Sequence, residues 1–209
     1  MQKEYIAPPV IKRLPRYYRF LSELCAAGVT RISSKELARR MRLTASQVRQ
    51  DFNCFGGFGQ QGYGYNIAQL KETMGEILGL NQTQKIILIG AGNMGRAICN
   101  ESFFHTCGFQ LVGVFDKKPS LTGQIINSIP VRHTDGLDEF CKEQLPVAAA
   151  LCIPNTEAKE VVRQLVGLGI KAIWNFTHYD PTADFPELVV ENVHLRDSLM
   201  TFGFNVKNQ

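Results

Sequence analysis

Residues 85–116 read KIILIGAGNMGRAICNESFFHTCGFQLVGVFD, and the fold of the longer part of the chain follows from them. Four consecutive apolar residues, Ile86 to Ile89, predict a strand buried on both faces. Gly90, Gly92 and Gly95 then stand in G-x-G-x-x-G spacing, with Ala91, Asn93 and Met94 completing the loop and the start of a helix. A second apolar run, Leu111 to Phe115, ends in Asp116, so the stretch is a βαβ unit. The first glycine permits a tight turn, the second a close approach of backbone to a pyrophosphate, and the third close helix–strand packing. Free N–H groups at the helix start suit phosphate oxygens. Asp116 lies 21 residues after Gly95, where a carboxylate accepts hydrogen bonds from a ribose 2′-OH. The flanking strands and the terminal acid turn a weak glycine motif into a dinucleotide-binding fingerprint. Lys117 follows directly and could tolerate a 2′-phosphate, but Asp116 argues for NAD(H) as the cofactor.

Downstream, strands and helices keep alternating. Pro130-Val131 predicts a short strand and 137–143 a helix; 147–153 (VAAALCI) is a buried strand ending at Pro154-Asn155. A helix over 157–168 and strands over 171–176 and 188–193 complete a parallel sheet of Rossmann type. Open α/β sheets bind ligands beyond the carboxyl ends of their strands. The glycine loop, Asp116, Lys117, Pro154, Asn155, Asn175, Phe176, His178 and the 192–194 segment are therefore expected around one crevice. A helical pattern from Leu195 to Phe204 cannot cover much of this sheet alone and could pack on a partner subunit. Hydride transfer needs a positioned acid or base and a substrate-binding elaboration; the short loops here provide neither.

The other end of the chain differs in charge. Residues 1–50 hold 11 Lys+Arg against 3 Asp+Glu, net +8, while the remainder is net −4. That asymmetry favours a polyanion at the N-terminal end over a merely solvated basic surface. Pro8-Pro9 and Pro15 predict an extended lead-in carrying Lys12, Arg13 and Arg16, and Tyr17, Phe20, Leu21, Leu24 and Cys25 predict a helix over 15–27. Ser33-x-x-Glu36 and Thr44-x-x-Gln47 are capping boxes for two further short helices. In the second of these Ala45, Val48 and Phe52 face inward, while Ser46, Arg49, Gln50 and Asn53 share the opposite face. Joined by Arg42-Leu43, the pair describes a helix-turn-helix whose second helix offers residues that hydrogen-bond base edges. Arg reads guanine and Gln or Asn reads adenine, each pair giving about 1–3 kcal/mol of discrimination. GGFGQQGYGY, 56–65, interleaves glycines and aromatics as a hairpin wing would, placing Gly59, Gln60, Gln61 and Tyr63 beside a DNA groove. Ser34, Lys35 and Thr44 stand at helix starts, where they cap or contact phosphate; Tyr17-Tyr18 belongs to the core. A helix from Ile67 to about Gly79 and the polar 81–84 segment close this domain.

The expected organisation is a winged-helix domain over 1–80, a Rossmann domain over 85–193 and a C-terminal helix over 194–209. No apolar run approaches the ~20 residues that span a bilayer, and MQKEYIAPPV lacks the apolar core of a secretory signal. Six scattered cysteines without C-x-x-C read as thiols in a reducing cytoplasm, and neither H-E-x-x-H nor a Cys/His cluster suggests a metal.

Together these residues resemble the Rex family of redox-sensing transcriptional repressors. The resemblance spans nearly the whole chain and is carried by RLPRYYRFL (13–21), RISSKELA (31–38), QVRQDFNCFGGFGQQGYGY (47–65), GAGNMGRA (90–97), VFD (114–116), GIKAIWNF (169–176) and VVENV (189–193). It implies a homodimer with exchanged C-terminal helices, two recognition helices on an inverted-repeat DNA operator, and no catalysed reaction. It also implies that NADH closes the Rossmann domains and breaks DNA binding, while NAD⁺ permits it. Three departures accompany it. Arg49-Gln50 replaces the family's Arg-Lys, and Gln60-Gln61 replaces a basic wing tip. Glu101 and His194 occupy the positions of a Tyr–Asp switch pair, whereas Arg19 matches the family Arg that contacts that Asp. A Glu–His pair would titrate near neutrality, because free imidazole has a pKa of about 6.5. The third departure is Lys117. The resemblance thus implies a repressor with an altered operator and a weakened or retuned NADH response. A small NAD(P)-dependent oxidoreductase would instead require turnover, and a nucleotide- or CoA-binding interaction module would show no affinity for duplex DNA.

Overall fold

The computed structural model describes residues 6–56, 59–60 and 63–208, apart from the side chains of Gln60 and Glu101. The chain forms two compact units, 1–81 and 82–209.

In the first unit, α1 (Pro8–Ala26) is continuous where an extended lead-in was expected. Pro8 and Pro9 open the helix, where a missing N–H costs nothing. Pro15 lies inside it, on the exposed side. Burial of Val10, Leu14, Tyr17, Leu21 and Leu24 along one stripe outweighs the hydrogen bond that Pro15 cannot make. A short strand, β1 (Arg31–Ile32), precedes α2 (Ser34–Met41) and α3 (Ala45–Asn53). The Ser33 hydroxyl accepts from the Glu36 amide and the Thr44 hydroxyl from the Gln47 amide, each at 3.1 Å, so both N-caps form. The reciprocal half of the first box does not: the Glu36 carboxylate binds Arg39 and Arg40 instead.

Beyond α3, β2 (Gly59–Gln60) and β3 (Gly64–Asn66) join β1 in an antiparallel sheet of order β1-β3-β2. Gly64 has φ +69°, and a Cβ there would lie 2.7 Å from the Ile32 carbonyl oxygen, so only glycine lets β3 lie this close to β1. The helix α4 (Ile67–Ile77) closes the unit. Edge-on contacts of Tyr17 with Phe52 (5.0 Å) and Phe52 with Tyr65 (4.9 Å) run from α1 through α3 to β3. Beside them lies a buried charge: Asp51, 1% exposed, accepts two hydrogen bonds from Arg13 at 2.7 Å, one from the Tyr17 hydroxyl at 2.8 Å and one from Gln47 at 3.3 Å.

The second unit contains β4 (Gln84–Ile89), α5 (Asn93–Ile98), α6 (Glu101–Thr106), β5 (Phe109–Asp116), β6 (Ile125–Ile126), β7 (Ile129–His133) and α7 (Leu137–Gln144). It continues with β8 (Ala148–Leu151), α8 (Asn155–Gly167), β9 (Ala172–Asn175), β10 (Val189–Asn192) and α9 (Leu195–Lys207). The sheet order is β10-β9-β8-β4-β5-β7-β6, parallel except for the β6–β7 hairpin. Setting aside β6, this is the doubly wound order, with its reversal between β4 and β8. The single helix expected after the glycine loop is two. Asn100 caps α6 by accepting from the Phe103 amide at 3.2 Å, and Asn127 donates to the Cys99 carbonyl at the break. A strong N-cap residue competes with helix continuation at that point. Among the residues of α9 none is buried: Leu195, Leu199, Met200, Phe202, Phe204 and Val206 are all more than half exposed.

Replacing Asp51 by Ala should destabilise the first unit by about 3–5 kcal/mol, because Arg13 is left half-buried without its partner. Burial raises the Asp51 pKa, but hydrogen bonds from Arg13, Tyr17 and Gln47 outweigh it and hold the carboxyl below its usual value. Its stabilisation is therefore complete above the unfolded pKa of about 4 and is lost as pH falls through the lower folded value. Urea unfolding followed by circular dichroism at stepped pH should show this acid loss in the parent chain and a flatter profile in Asp51→Ala.

Candidate functional site

The crevice forms at the carboxyl ends of β4, β5 and β8. After β4 the chain turns at Gly90, φ +100°, and a Cβ there would sit 2.3 Å from the Cys152 carbonyl oxygen beyond β8. A Cβ on Gly95 would lie 1.9 Å from the Gly90 carbonyl oxygen, so α5 can pack against the turn only with glycine there. Gly92 differs: a Cβ on it meets nothing within 4 Å, because its face is open to the crevice. The cavity is about 520 Å³, and its lining includes Gly90, Gly92, Asp116, Lys117, Pro154 and Glu157. Small-molecule sites typically measure ~300–1,000 Å³. An open glycine backbone next to an acid at the end of the second strand fits a dinucleotide's pyrophosphate and ribose.

Asp116 is 9% exposed and already works within the protein. One carboxylate oxygen accepts from the Ala91 amide and the other from the Lys118 amide, both at 2.8 Å. A carboxylate offers about four acceptor sites, so hydroxyl groups of a ribose can still be received. Arg96 braces the loop by donating to the Ala91 carbonyl at 3.1 Å and to Gln124 at 2.7 Å. Asn93 and Met94 form the first turn of α5, and Asn155 opens α8 directly after Pro154. Burial pushes the Cys152 thiol up to about 12, which keeps this cavity residue protonated rather than nucleophilic.

Asn175, Phe176, His178 and His194, all expected around the crevice, are not among the residues that line the cavity. Asn175 is fully buried, and its amide is spent: it donates to the Tyr179 carbonyl and to Asn192, and accepts from the Thr177 amide and hydroxyl. It shapes the loop after β9 and has no valence left for a ligand. Phe176 packs edge-on against Trp174 at 4.6 Å, outside the cavity lining. His178 and His194 form a separate group, with ring centroids 5.6 Å apart and His194 Nδ1 3.3 Å from an Asp197 oxygen. The Glu101 side chain lies outside the described residues, so its expected pairing with His194 is not visible. Glu157, Gln164, Thr134 and Leu137 line the cavity without having been expected. Only Glu157 carries a sequence signal, an acid in the first turn after Pro154-Asn155.

In the first unit, Ser46, Arg49, Gln50 and Asn53 are exposed on one face of α3. Arg49 donates to the Ser34 hydroxyl at 3.3 Å, which ties the start of α2 to the outer face of α3. Lys35 and Thr44 are exposed; the Thr44 oxygen caps α3 and its proton remains free to be donated. Arg13 of the expected lead-in and Gln47 of the second capping box, both candidates for DNA contact, turn inward to Asp51, because a buried carboxylate needs their donors. Arg16 donates to the Met41 carbonyl at 2.6 Å, so it too braces the helix pair. Arg19 is exposed on α1. Tyr63 is 69% exposed and lies under the Arg31 guanidinium, 5.8 Å from ring centroid, and Arg31 also donates to its carbonyl. Gly59 and Gln60 form β2, while Gln61 lies outside the described residues.

Known proteins resemble this chain over its whole length. Residues 5–53 match the family described as "Putative DNA-binding protein N-terminus", and 81–179 match the "CoA binding domain". The redox-sensing transcriptional repressor Rex of Clostridium perfringens is 48% identical over 97% of this chain and 95% of its own. That of Caldicellulosiruptor saccharolyticus is 46% identical over 100% and 94%. Among solved structures, the Rex-family repressor RSP in complex with β-NAD⁺ and operator DNA superposes with a TM-score of 0.90 at 45% identity, over 99% of this chain and 94% of that one. RSP with β-NADH gives 0.88 at 42%, over 99% and 96%. Full-length identity at this level, with the glycine loop, Asp116 and the exposed α3 face all in place, makes the chain a member of the Rex family of redox-sensing transcriptional repressors.

Proposed function

We propose that this chain is a dimeric repressor that binds an inverted-repeat DNA operator through α3 and the β2–β3 wing and takes NAD(H) as its signal. The observation that carries the reading is the pairing, in one chain, of a crevice at the β4/β8 reversal with an exposed Ser46–Arg49–Gln50–Asn53 face. In these terms residues 1–80 are the DNA-binding domain, 85–193 the NAD(H) domain and 194–209 the dimerisation helix. The apolar side chains exposed on α9 support a partner subunit there. No helix among the described residues is long and apolar enough to cross a membrane, and a cytoplasmic location fits a DNA-binding repressor. The crevice residues hold and orient the dinucleotide: the open Gly92 backbone faces its phosphates and Asp116 its adenosine ribose. The bound nucleotide would supply a redox-dependent shape, and no reaction is required of the protein.

Glycine substitutions separate folding from binding. Gly92→Ala should fold normally and lose NADH affinity on the order of ten-fold or more, since the added methyl occupies the pyrophosphate's approach. Gly95→Ala should lose thermal stability as well, because its methyl meets the Gly90 carbonyl. Calorimetric titration beside thermal melts checks both.

Selection of bound DNA from a random pool, repeated with NAD⁺ and with NADH, tests the whole reading. A pool enriched in one inverted repeat with NAD⁺ and depleted with NADH is expected. Arg49→Ala should cost about 1–3 kcal/mol of specific binding and relax the preference at one position of each half-site. Gln50, an amide where the family carries Lys, favours an operator richer in adenine at its contact.

Glu101 and His194 replace the family's switch pair, so we further propose that NADH release is retuned. Titrating NADH into the protein–operator complex should require more nucleotide than the family norm. Release at micromolar NADH would overturn that part alone.

A further inference from the structure

The mouth of the crevice holds an ion pair that the nucleotide fingerprint does not account for. Lys117, the residue after Asp116, places its ammonium 2.6 Å from a Glu157 carboxylate oxygen in the first turn of α8. The two side chains come from opposite walls, β5 and α8, and both line the cavity beside Asp116. From sequence, Lys117 is a cation that could tolerate the 2′-phosphate of NADP(H), although Asp116 argues for NAD(H). In the folded chain its charge is already answered. Glu157 is partly buried, 29% exposed, and sits at a helix N-terminus, where the dipole favours a carboxylate. It therefore holds its place whether or not Lys117 stays.

The remaining charges at this rim complete the balance. Lys118 also lines the cavity, and Asp116 binds the Ala91 and Lys118 amides, so two acids face two lysines. A 2′-phosphate, carrying nearly two negative charges, would meet no net attraction and would have to displace the Glu157 carboxylate to reach Lys117.

We infer that Glu157 is a specificity-determining residue, which excludes 2′-phosphorylated dinucleotides by occupying the Lys117 ammonium. The inference rests on the dinucleotide reading of this crevice. It assigns NAD(H) selectivity to an acid on α8 as well as to Asp116, and it explains how a lysine next to Asp116 coexists with a site for the unphosphorylated cofactor.

The test measures dissociation constants of NADH and NADPH, by nicotinamide fluorescence and calorimetry, for the full chain and two variants. Wild type should prefer NADH. Glu157→Gln keeps shape and removes the charge, so the ratio of NADPH to NADH dissociation constants should fall on the order of ten-fold, less at high salt. Lys117→Met leaves the carboxylate unpaired, so the same ratio should rise. A wild-type chain that binds neither dinucleotide defeats the crevice reading itself. A wild-type chain that binds both equally overturns the inference alone. So does an unchanged ratio in Glu157→Gln, or loss of all dinucleotide binding in both variants, which would make the pair a structural support of the pocket.

Discussion

The second unit depends on one backbone approach. As β4 ends, the chain passes so near the end of β8 that a side chain on Gly90 would strike the Cys152 carbonyl, and α5 returns so tightly that Gly95 abuts the Gly90 carbonyl. Glycine at both places lets the loop lie flat at the point where the sheet order reverses. Asp116 then fastens the loop to β5 by accepting from the Ala91 amide. The ends of three strands are thus bound into one rim, and the cavity is the space they leave between β5 and α8.

A buried carboxylate has the corresponding role in the first unit. Asp51 sits on the inner face of α3 and collects donors from Arg13, Tyr17 and Gln47. Removing a charge from water is costly unless every lone pair is answered, so this arrangement tolerates little rotation of α3 about its axis. Because the inner face is fixed, Ser46, Arg49, Gln50 and Asn53 point outward together. The residues that recognise and the residues that hold are interleaved on the same three turns of helix. Gln47 on α3 and Arg13 on α1, both chemically suited to DNA, point to Asp51 and serve the core.

Much of this was legible in the residues. The G-x-G-x-x-G spacing, Asp116, the caps at Ser33 and Thr44 and the polar face of α3 are all local patterns, and the structure places them as they read. Three local readings failed, each against an interaction that competes with the pattern read. Pro15 reads as a helix boundary, yet the buried stripe from Val10 to Leu24 carries the helix through it. The stretch after Gly95 reads as one helix, yet Asn100 caps a second. Asn175 reads as a crevice residue by its place at a strand end, yet its amide is consumed by the loop that follows.

By itself the sequence determined the elements, their alternation and the residue types at each turn, because helix and strand periodicity, capping and glycine conformations act within a few residues. Only the tertiary structure decided which side chains remain available. Arg13 and Asp51 are 38 residues apart and Lys117 and Glu157 are 40, and no local pattern connects either pair. Whether a charged group meets solvent, ligand or a partner depends on which elements pack together, and packing is set by the whole chain. The glycine loop of 90–95 was readable as a nucleotide site from spacing alone. What the site admits beside Asp116 depends on an acid brought to it by α8.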